Sequence, residues 1–190
     1  MDVYKAILSR RSIRRFKQKQ IPLDLLKKFV NGARLAPSAA NLQPLEFFII
    51  NDKVLCNKVF ETLKWAAYIK PTWIPSNKER PVAYIVMLVN DQNNKFYLRD
   101  VSLASENIVL AAEEKGIGSC ILCSVDREKL RENLNIPKTM IIDSVIALGY
   151  KAEKSIVEEY KGSVKYWRDE NEVLHVPKRK LKDILHINKF

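Results

Sequence analysis

Histidine and cysteine are scarce in this 190-residue chain: two histidines, His175 and His186, and three cysteines, Cys56, Cys120 and Cys123. Three thiols are too few and too odd in number for a disulfide framework, and they fit a reducing compartment. Structural zinc takes four Cys or His ligands, usually as two close pairs. Here there is a single pair, Cys120-Ile-Leu-Cys123, set in an apolar run, and both histidines lie near the C-terminal end. Hydrolytic triads fare no better, because no G-x-S-x-G occurs and histidine is so rare. Glycine is also sparse, at five residues. Gly116-Ile-Gly118 follows a helical stretch rather than a strand, the wrong order for a dinucleotide loop, so Gly116 is expected to cap the preceding helix. No run approaches the roughly 18 to 20 apolar residues that cross a bilayer. The start, MDVYKAILSRRS, lacks the apolar stretch and cleavage site of a secretion signal. Repeats, low-complexity tracts and linkers are missing as well. The expectation is one cytoplasmic domain over residues 1–190, with no metal and no membrane partner.

What the chain does carry is positive charge and clear apolar patterning. Lys plus Arg number 33 against 22 acids, a net charge of +11, with 47% hydrophobic and 29% charged residues. That is the composition of a folded domain with a sizeable core, and the cation surplus favours anionic partners without choosing among them. The spacing predicts a short helix over 2–10 that delivers an arginine cluster. A second helix follows over 21–37, with Leu26, Phe29, Val30 and Ala33 on one face and Pro37 closing it. A loop (38–44) leads to a short buried strand, EFFIIN, and then to an amphipathic helix over 53–69. Residues 70–81 hold three prolines and read as a loop. VAYIVMLVN (82–90) is apolar nearly throughout, as in a strand covered on both faces. The helix over 97–116 is apolar most of the way round and is therefore buried, in the domain or in a subunit interface. SCILCS and IIDSVIALGY read as strands, with the charged helix DREKLRENL between them. The last stretch, from Tyr166, is polar and irregular with a short helical pattern at its end. It has too few apolar residues to stand alone and must lie across the domain or across a second subunit. The class is α+β.

Three motifs bear on function. SRRSIRRF holds Arg10, Arg11, Arg14 and Arg15. On a regular helix Arg10 and Arg14 share one face, and Arg11 and Arg15 another. Ser12 adds a hydroxyl, while Ile13 and Phe16 anchor the segment in the core. Guanidinium forks, a hydroxyl and backbone amides make a receptor for a phosphate dianion. A solvated basic face and a nucleic-acid contact are the competing readings, although the basic residues are dispersed and form no recognisable nucleic-acid motif. APSAANLQP (36–44), stiffened by Pro37 and Pro44, can offer Ser38, Asn41 and Gln43 to a polar planar ligand, or simply connect a helix to a strand. A second basic cluster, Lys178-Arg179-Lys180, has meaning only if it converges on the first.

Taken together, RRSIRRF, LAPSAANLQPLEFFII, the apolar helix leading to KGIGSCIL, and IALGYKAE with its basic C-terminal arm resemble the FMN-dependent nitroreductase family over essentially the whole chain. The resemblance implies an α+β fold, with a central mixed sheet flanked by helices, working as an intertwined homodimer. Residues 160–190 would be an arm that wraps the partner, and two FMN sites would lie at the interface. Arg10, Arg11, Ser12 and Arg14 match the family's phosphate and ribityl contacts. Pro37, Ser38 and Ala39, with Asn41 close by, match the segment that the partner lays against the flavin. Cys123 and Ser124 fall where backbone groups reach the flavin edge near N5. Lys178 and Arg179 match the basic residues that close on the phosphate. The implied activity is an NADH- or NADPH-dependent reduction of a nitroaromatic, quinone or similar small-molecule acceptor through flavin N5, with no catalytic side chain and no nucleic acid. Dehalogenation, flavin destruction and ring oxidation without free nitroreduction are the alternative outcomes of the same fold. The sequence departs from the family pattern at Ala39, where a second serine is common, and at Leu45, where an aromatic residue is frequent. Cys123-Ser124 stands where Glu-Gly is usual. Asn77, Trp73 and Trp65 are candidates for the flavin or substrate side.

Overall fold

Three helices begin on an aspartate whose carboxylate accepts an N–H of the first turn, the preferred way to satisfy an orphan helix donor. Asp2 starts α1 (Val3–Ser9). Then come β1 (Phe16–Lys17), α2 (Leu23–Arg34) and β2 (Leu45–Ile50), after which Asp52 starts α3 (Lys53–Phe60). Further along are β3 (Ala83–Val89), α4 (Tyr97–Glu114) and β4 (Ile117–Leu122), before Asp126 starts α5 (Arg127–Leu134). The chain finishes with β5 (Ile141–Lys151), β6 (Ser155–Glu159), β7 (Trp167–Arg168) and β8 (Leu174–Lys178). This computed structural model describes residues 1–69, 73–90 and 95–189.

β3 is buried at every position, as its unbroken apolar sequence predicts. It pairs antiparallel with β2 on one side and β5 on the other, while β4 lines the far edge of β5 and β1 meets the end of β5. The strand pairs of this five-stranded sheet are antiparallel, with one parallel bridge at Ser12–Ser119. One face is covered by α3, α5 and Trp65, packed on Tyr84, Val86, Cys120 and Ala147. The other is covered by α2 and α4, packed on Ile85, Met87, Ile117 and Ile146. Leu26 and Phe29 of α2 are fully buried there, each contributing about 1.5–3 kcal/mol of transfer free energy. Gly116, at φ 71, donates its N–H to Glu113 O at 2.9 Å and ends α4, as expected.

Several expectations change. The helix expected over 53–69 stops at Phe60, because Thr62 Oγ1 donates to Val59 O at 2.7 Å and the Lys64 N–H turns away to Ser124 O. β2 is an edge strand and only partly buried. The C-terminal stretch is more regular than its sequence suggests: β8 pairs parallel with β6 and antiparallel with β7. Among the described residues, this small sheet buries one apolar side chain of its own, Leu174. Of the loop expected over 70–81, residues 70–72 lie outside the described residues. No described helix is long and apolar enough to cross a membrane.

Candidate functional site

Two glycines build the floor of the site. Gly118 of β4 and Gly149 of β5 face each other in register. A Cβ on Gly149 would stand 2.7–2.9 Å from Phe16, and one on Gly118 within 3.0 Å of Ile13. The bare backbone lets the chain cross this end of the sheet with Ile13 and Phe16 pressed onto it, 2% and 0% exposed. The crossing is pinned by Ile13 N–H to Ser119 O at 2.8 Å and Phe16 N–H to Glu79 O at 3.0 Å. Anchored at those two residues, the intervening and flanking positions Arg10, Arg11, Ser12, Arg14 and Arg15 are presented together.

They are not helical. α1 ends at Ser9 with Arg10 as its C-cap, so the pairing of Arg10 with Arg14 and Arg11 with Arg15 by helical spacing does not hold. Arg10 is 3.6 Å from Glu106, and Arg15 is 2.6 Å from Glu172. Among the described residues, Arg11 and Arg14 form no ion pair, and each keeps a buried Nε without a hydrogen-bond partner. Burial and the adjacent Arg10 charge lower the Arg11 pKa against the opposing field of Glu113. Arg11 Nη1 donates to Arg10 O in a short contact. The Arg14 guanidinium lies 4.7 Å over the Tyr166 ring, which packs on Tyr68.

β4 runs from this platform to Cys123 and Ser124, both exposed. Ser12 pairs with Ser119, so Cys123 lies four residues further along, roughly 13 Å at strand rise. Burial, then the Asp143 charge, raise the Cys123 thiol pKa, with Arg127 opposing. Beside Ser124 is a cavity of about 360 Å³ lined by Leu63, Trp65, Ile69 and Ile74. Trp65 belongs to the core and stacks on Phe60 at 5.7 Å. Two guanidiniums lie over the Trp73 ring, Arg15 at 5.4 Å and Arg168 at 5.0 Å. Asn77 instead lines a cavity of about 480 Å³ with Gln18, Lys78 and Arg80.

The loop holding Pro37, Ser38, Ala39 and Asn41 is held stiffly. Ala40, Asn41 and Gln43 all have positive φ, at 48°, 55° and 51°, a conformation that disfavours side chains by about 1–2 kcal/mol each. Hydrogen bonds enforce it: Gln43 N–H to Ser38 Oγ at 3.1 Å, and Ala39 N–H to Asp100 Oδ1 at 3.0 Å. Asp100, in the first turn of α4, is 2% exposed, and its Oδ2 has no hydrogen-bond partner. This loop leads into the opposite end of the sheet from the glycine platform. Leu45 pairs with Val89, which pairs with Ile141, eight residues along β5 from Gly149. At strand rise that is roughly 27 Å.

Lys178 and Arg179 are exposed. Lys178 O accepts the Tyr160 N–H at 2.9 Å, and Arg179 donates to Asp183 O at 2.6 Å. Among the described residues neither is in an ion pair, and no hydrogen bond joins them to Arg10–Arg14. Sequence reasoning missed Gly118, Gly149, Asp100 and Glu153. The glycines stand inside strand patterns, a mark of close backbone approach; the two acids carried no local signal.

The sequence profile of the nitroreductase family matches residues 7–79 and 83–150. A protein of Archaeoglobus fulgidus, provisionally named NADH dehydrogenase/NAD(P)H nitroreductase, is 37% identical over 166 residues, covering 83% of this chain and 90% of that one. An iodotyrosine deiodinase of Thermotoga neapolitana is 28% identical over 165 residues, covering 78% of this chain and 88% of its own. The solved structure of an FMN-dependent nitroreductase of Clostridium difficile superposes with a TM-score of 0.68 at 25% identity, covering 97% of this chain and 98% of that one. The chain that carries this arginine crossing and stiffened loop is thus a member of the nitroreductase family.

Proposed function

We propose that the chain is an FMN-dependent NAD(P)H oxidoreductase that works as a homodimer. The observation that carries this reading is the glycine platform, which seats the segment holding Ser12 and the guanidinium groups of Arg11 and Arg14, neither of them in an ion pair among the described residues. Such a donor set fits a phosphate dianion. Arg10, Arg11, Ser12 and Arg14 would hold the FMN phosphate and ribityl chain, with Lys178 and Arg179 adding charge. The ring system would extend along β4, where backbone groups at Cys123 and Ser124 orient its edge. The Pro37–Asn41 loop leads into the Leu45–Ile141 end of the sheet, whereas the platform lies at its Gly118–Gly149 end, an arrangement that suits a site shared between two copies. A second copy supplies the loop, already locked by Asp100 and Ser38.

Held by Arg10, Arg11, Ser12 and Arg14, FMN would supply the hydride chemistry that links NADH or NADPH to a second substrate. The protein's share is binding, orientation and electrostatics, so no acid, base or nucleophile among its side chains is required. The acceptor is a small nitroaromatic, quinone or similar molecule. The apolar wall of Trp65, Ile69 and Ile74 beside Ser124 suits a planar organic acceptor. The Thermotoga neapolitana relative favours a second reading in which the acceptor is a halogenated aromatic and the product is halide.

The test is a visible spectrum of the purified protein, with mass identification of any chromophore released by heat. NAD(P)H oxidation is then followed with a nitroaromatic, a quinone and an iodotyrosine, and iodide release separates the two readings. Arg10→Ala is expected to weaken FMN binding by roughly 1.5–3 kcal/mol, the scale of a hydrogen bond to a charged group. A colourless protein that takes up no added FMN overturns the proposal.

A further inference from the structure

Glu153 lies two residues past the end of β5 and takes no part in the donor set assigned above, yet its carboxylate is 1% exposed. An ionised carboxylate that deep in a protein must be fully compensated. Its compensation comes from three donors with very different addresses. Oε1 accepts the main-chain N–H groups of Arg14, in a short contact, and of Arg15, at 3.2 Å. Oε2 accepts Arg168 Nη2 at 2.6 Å. The main chain closes the same joint from the other side, where the Ala152 N–H donates to Arg15 O at 2.9 Å.

Arg168 is itself 8% exposed and belongs to β7. It donates to Glu172 O at 3.2 Å and covers the Trp73 ring at 5.0 Å. Its strand pairs with β8 at Leu174, whose N–H donates to Lys154 O at 2.9 Å. The carboxylate therefore joins the backbone of the arginine crossing to the C-terminal sheet. Its charge is cancelled by Arg168 and two amide dipoles, so it can sit beside the Arg14 backbone without neutralising the Arg14 side chain.

We propose that Glu153 is the positioning residue of the phosphate site: it sets the backbone from which Arg14 projects and, through Arg168, ties that backbone to the sheet carrying Lys178 and Arg179. This rests on the reading of the arginine crossing as the FMN phosphate site. Glu153 touches neither cofactor nor substrate in this role. It decides where the cation that does so is aimed.

The experiment compares FMN with riboflavin, which has the same ring system and ribityl chain but no phosphate. Dissociation constants for both are measured by flavin fluorescence on the full chain, for the natural protein, Glu153→Ala, Glu153→Gln and Arg168→Lys. Far-ultraviolet circular dichroism at the assay temperature establishes that each variant is folded. Should Glu153→Ala fail to fold, Glu153→Gln and Arg168→Lys carry the test, since the first keeps an acceptor for the Arg14 N–H and the second keeps the charge. The expected result is a fall of at least fivefold in the preference for FMN over riboflavin in every folded variant, with Glu153→Ala the largest. Glu61→Gln, at an exposed carboxylate whose partner is Lys129 at 3.5 Å, is expected to shift the preference less than twofold. A residue that merely supports the fold would weaken both ligands alike, so a change in preference under fivefold overturns the proposal. Failure of the natural protein to prefer FMN to riboflavin overturns instead the phosphate-site reading on which it stands.

Discussion

Adding one methyl group at Gly149 should disturb the arginine crossing more than most larger changes elsewhere. The new Cβ would lie 2.7 Å from Phe16 Cδ1, 2.8 Å from its Cβ and 2.9 Å from its Cγ. Phe16 cannot step aside cheaply, being fully buried, paired with Lys151 in register and bonded through its N–H to Glu79 O. Overpacking of this kind costs about 1–3 kcal/mol, which is a factor of about 5 to 150 in an equilibrium constant. The cost divides between two readouts. Where the crossing holds, strain lowers the unfolding free energy in urea; where it yields, Phe16 lifts, Arg14 moves with it and FMN affinity falls. The sum of the two losses is expected to reach at least about 1 kcal/mol. Gly32 is the control, because a Cβ there meets nothing within 4 Å. In the interior of α2, Gly32→Ala should instead stabilise by about 0.5–1 kcal/mol. If Gly149→Ala proves as benign as Gly32→Ala in both assays, the platform does not constrain the crossing and the reasoning fails.

Asp100→Ala leaves the Ala39 N–H without its acceptor, which should cost about 1–3 kcal/mol in denaturant titration; Asp100→Asn, which keeps an acceptor oxygen, should lose clearly less, and equal losses would refute the assigned bond. His175 faces Asp169 at 3.1 Å through Nε2 and Glu158 at 3.2 Å through Nδ1, with Trp167 stacked on it at 4.2 Å. The Asp169 bond foremost, then Glu158, raise its pKa above the usual 6.5 despite desolvation. Because the folded pKa is the higher one, this contribution is complete below about pH 6.5 and is lost as pH rises through the raised value. Hydrogen exchange over 174–178 should therefore quicken on that side relative to His175→Gln, and the absence of such a difference would count against the bridge. At neutral pH, iodoacetamide should modify Cys123 first but more slowly than free cysteine. Cys56, whose thiol is pushed up to about 12 by burial and Asp52, should react only on unfolding, and early labelling of Cys56 by peptide mass would contradict its buried placement.

Strong local signals survived the passage from sequence to structure. β3 is apolar without a break and is buried at every position, because a two-sided core admits little else. α2 kept Leu26, Phe29 and Ala33 inward, with Val30 at the margin. Errors arose where tertiary partners decide. The pattern over 53–69 stays amphipathic past Phe60, yet the Lys64 N–H finds Ser124 O, on a segment far away in sequence. The C-terminal strands escaped notice because their stability comes from pairing and from the Glu153–Arg168 joint rather than from an apolar face of their own.

The arginine cluster was legible in composition and not in geometry. Four arginines in six positions suit the anion site proposed above, but helical spacing assigns them the wrong faces, because α1 stops at Ser9 and a crossing over paired glycines takes its place. Nothing in RRSIRRF itself says so. The information lies in GIGSC and IALGYKAE, more than a hundred residues downstream, where two glycines clear the floor and Glu153 grips the Arg14 and Arg15 amides. A basic face that was merely solvated would need neither the cleared floor nor the buried carboxylate. Both devices fix main chain rather than side chain, as expected where backbone N–H groups and guanidinium forks must converge on one ligand. The arginine count therefore carries less of the functional argument than the two glycines do.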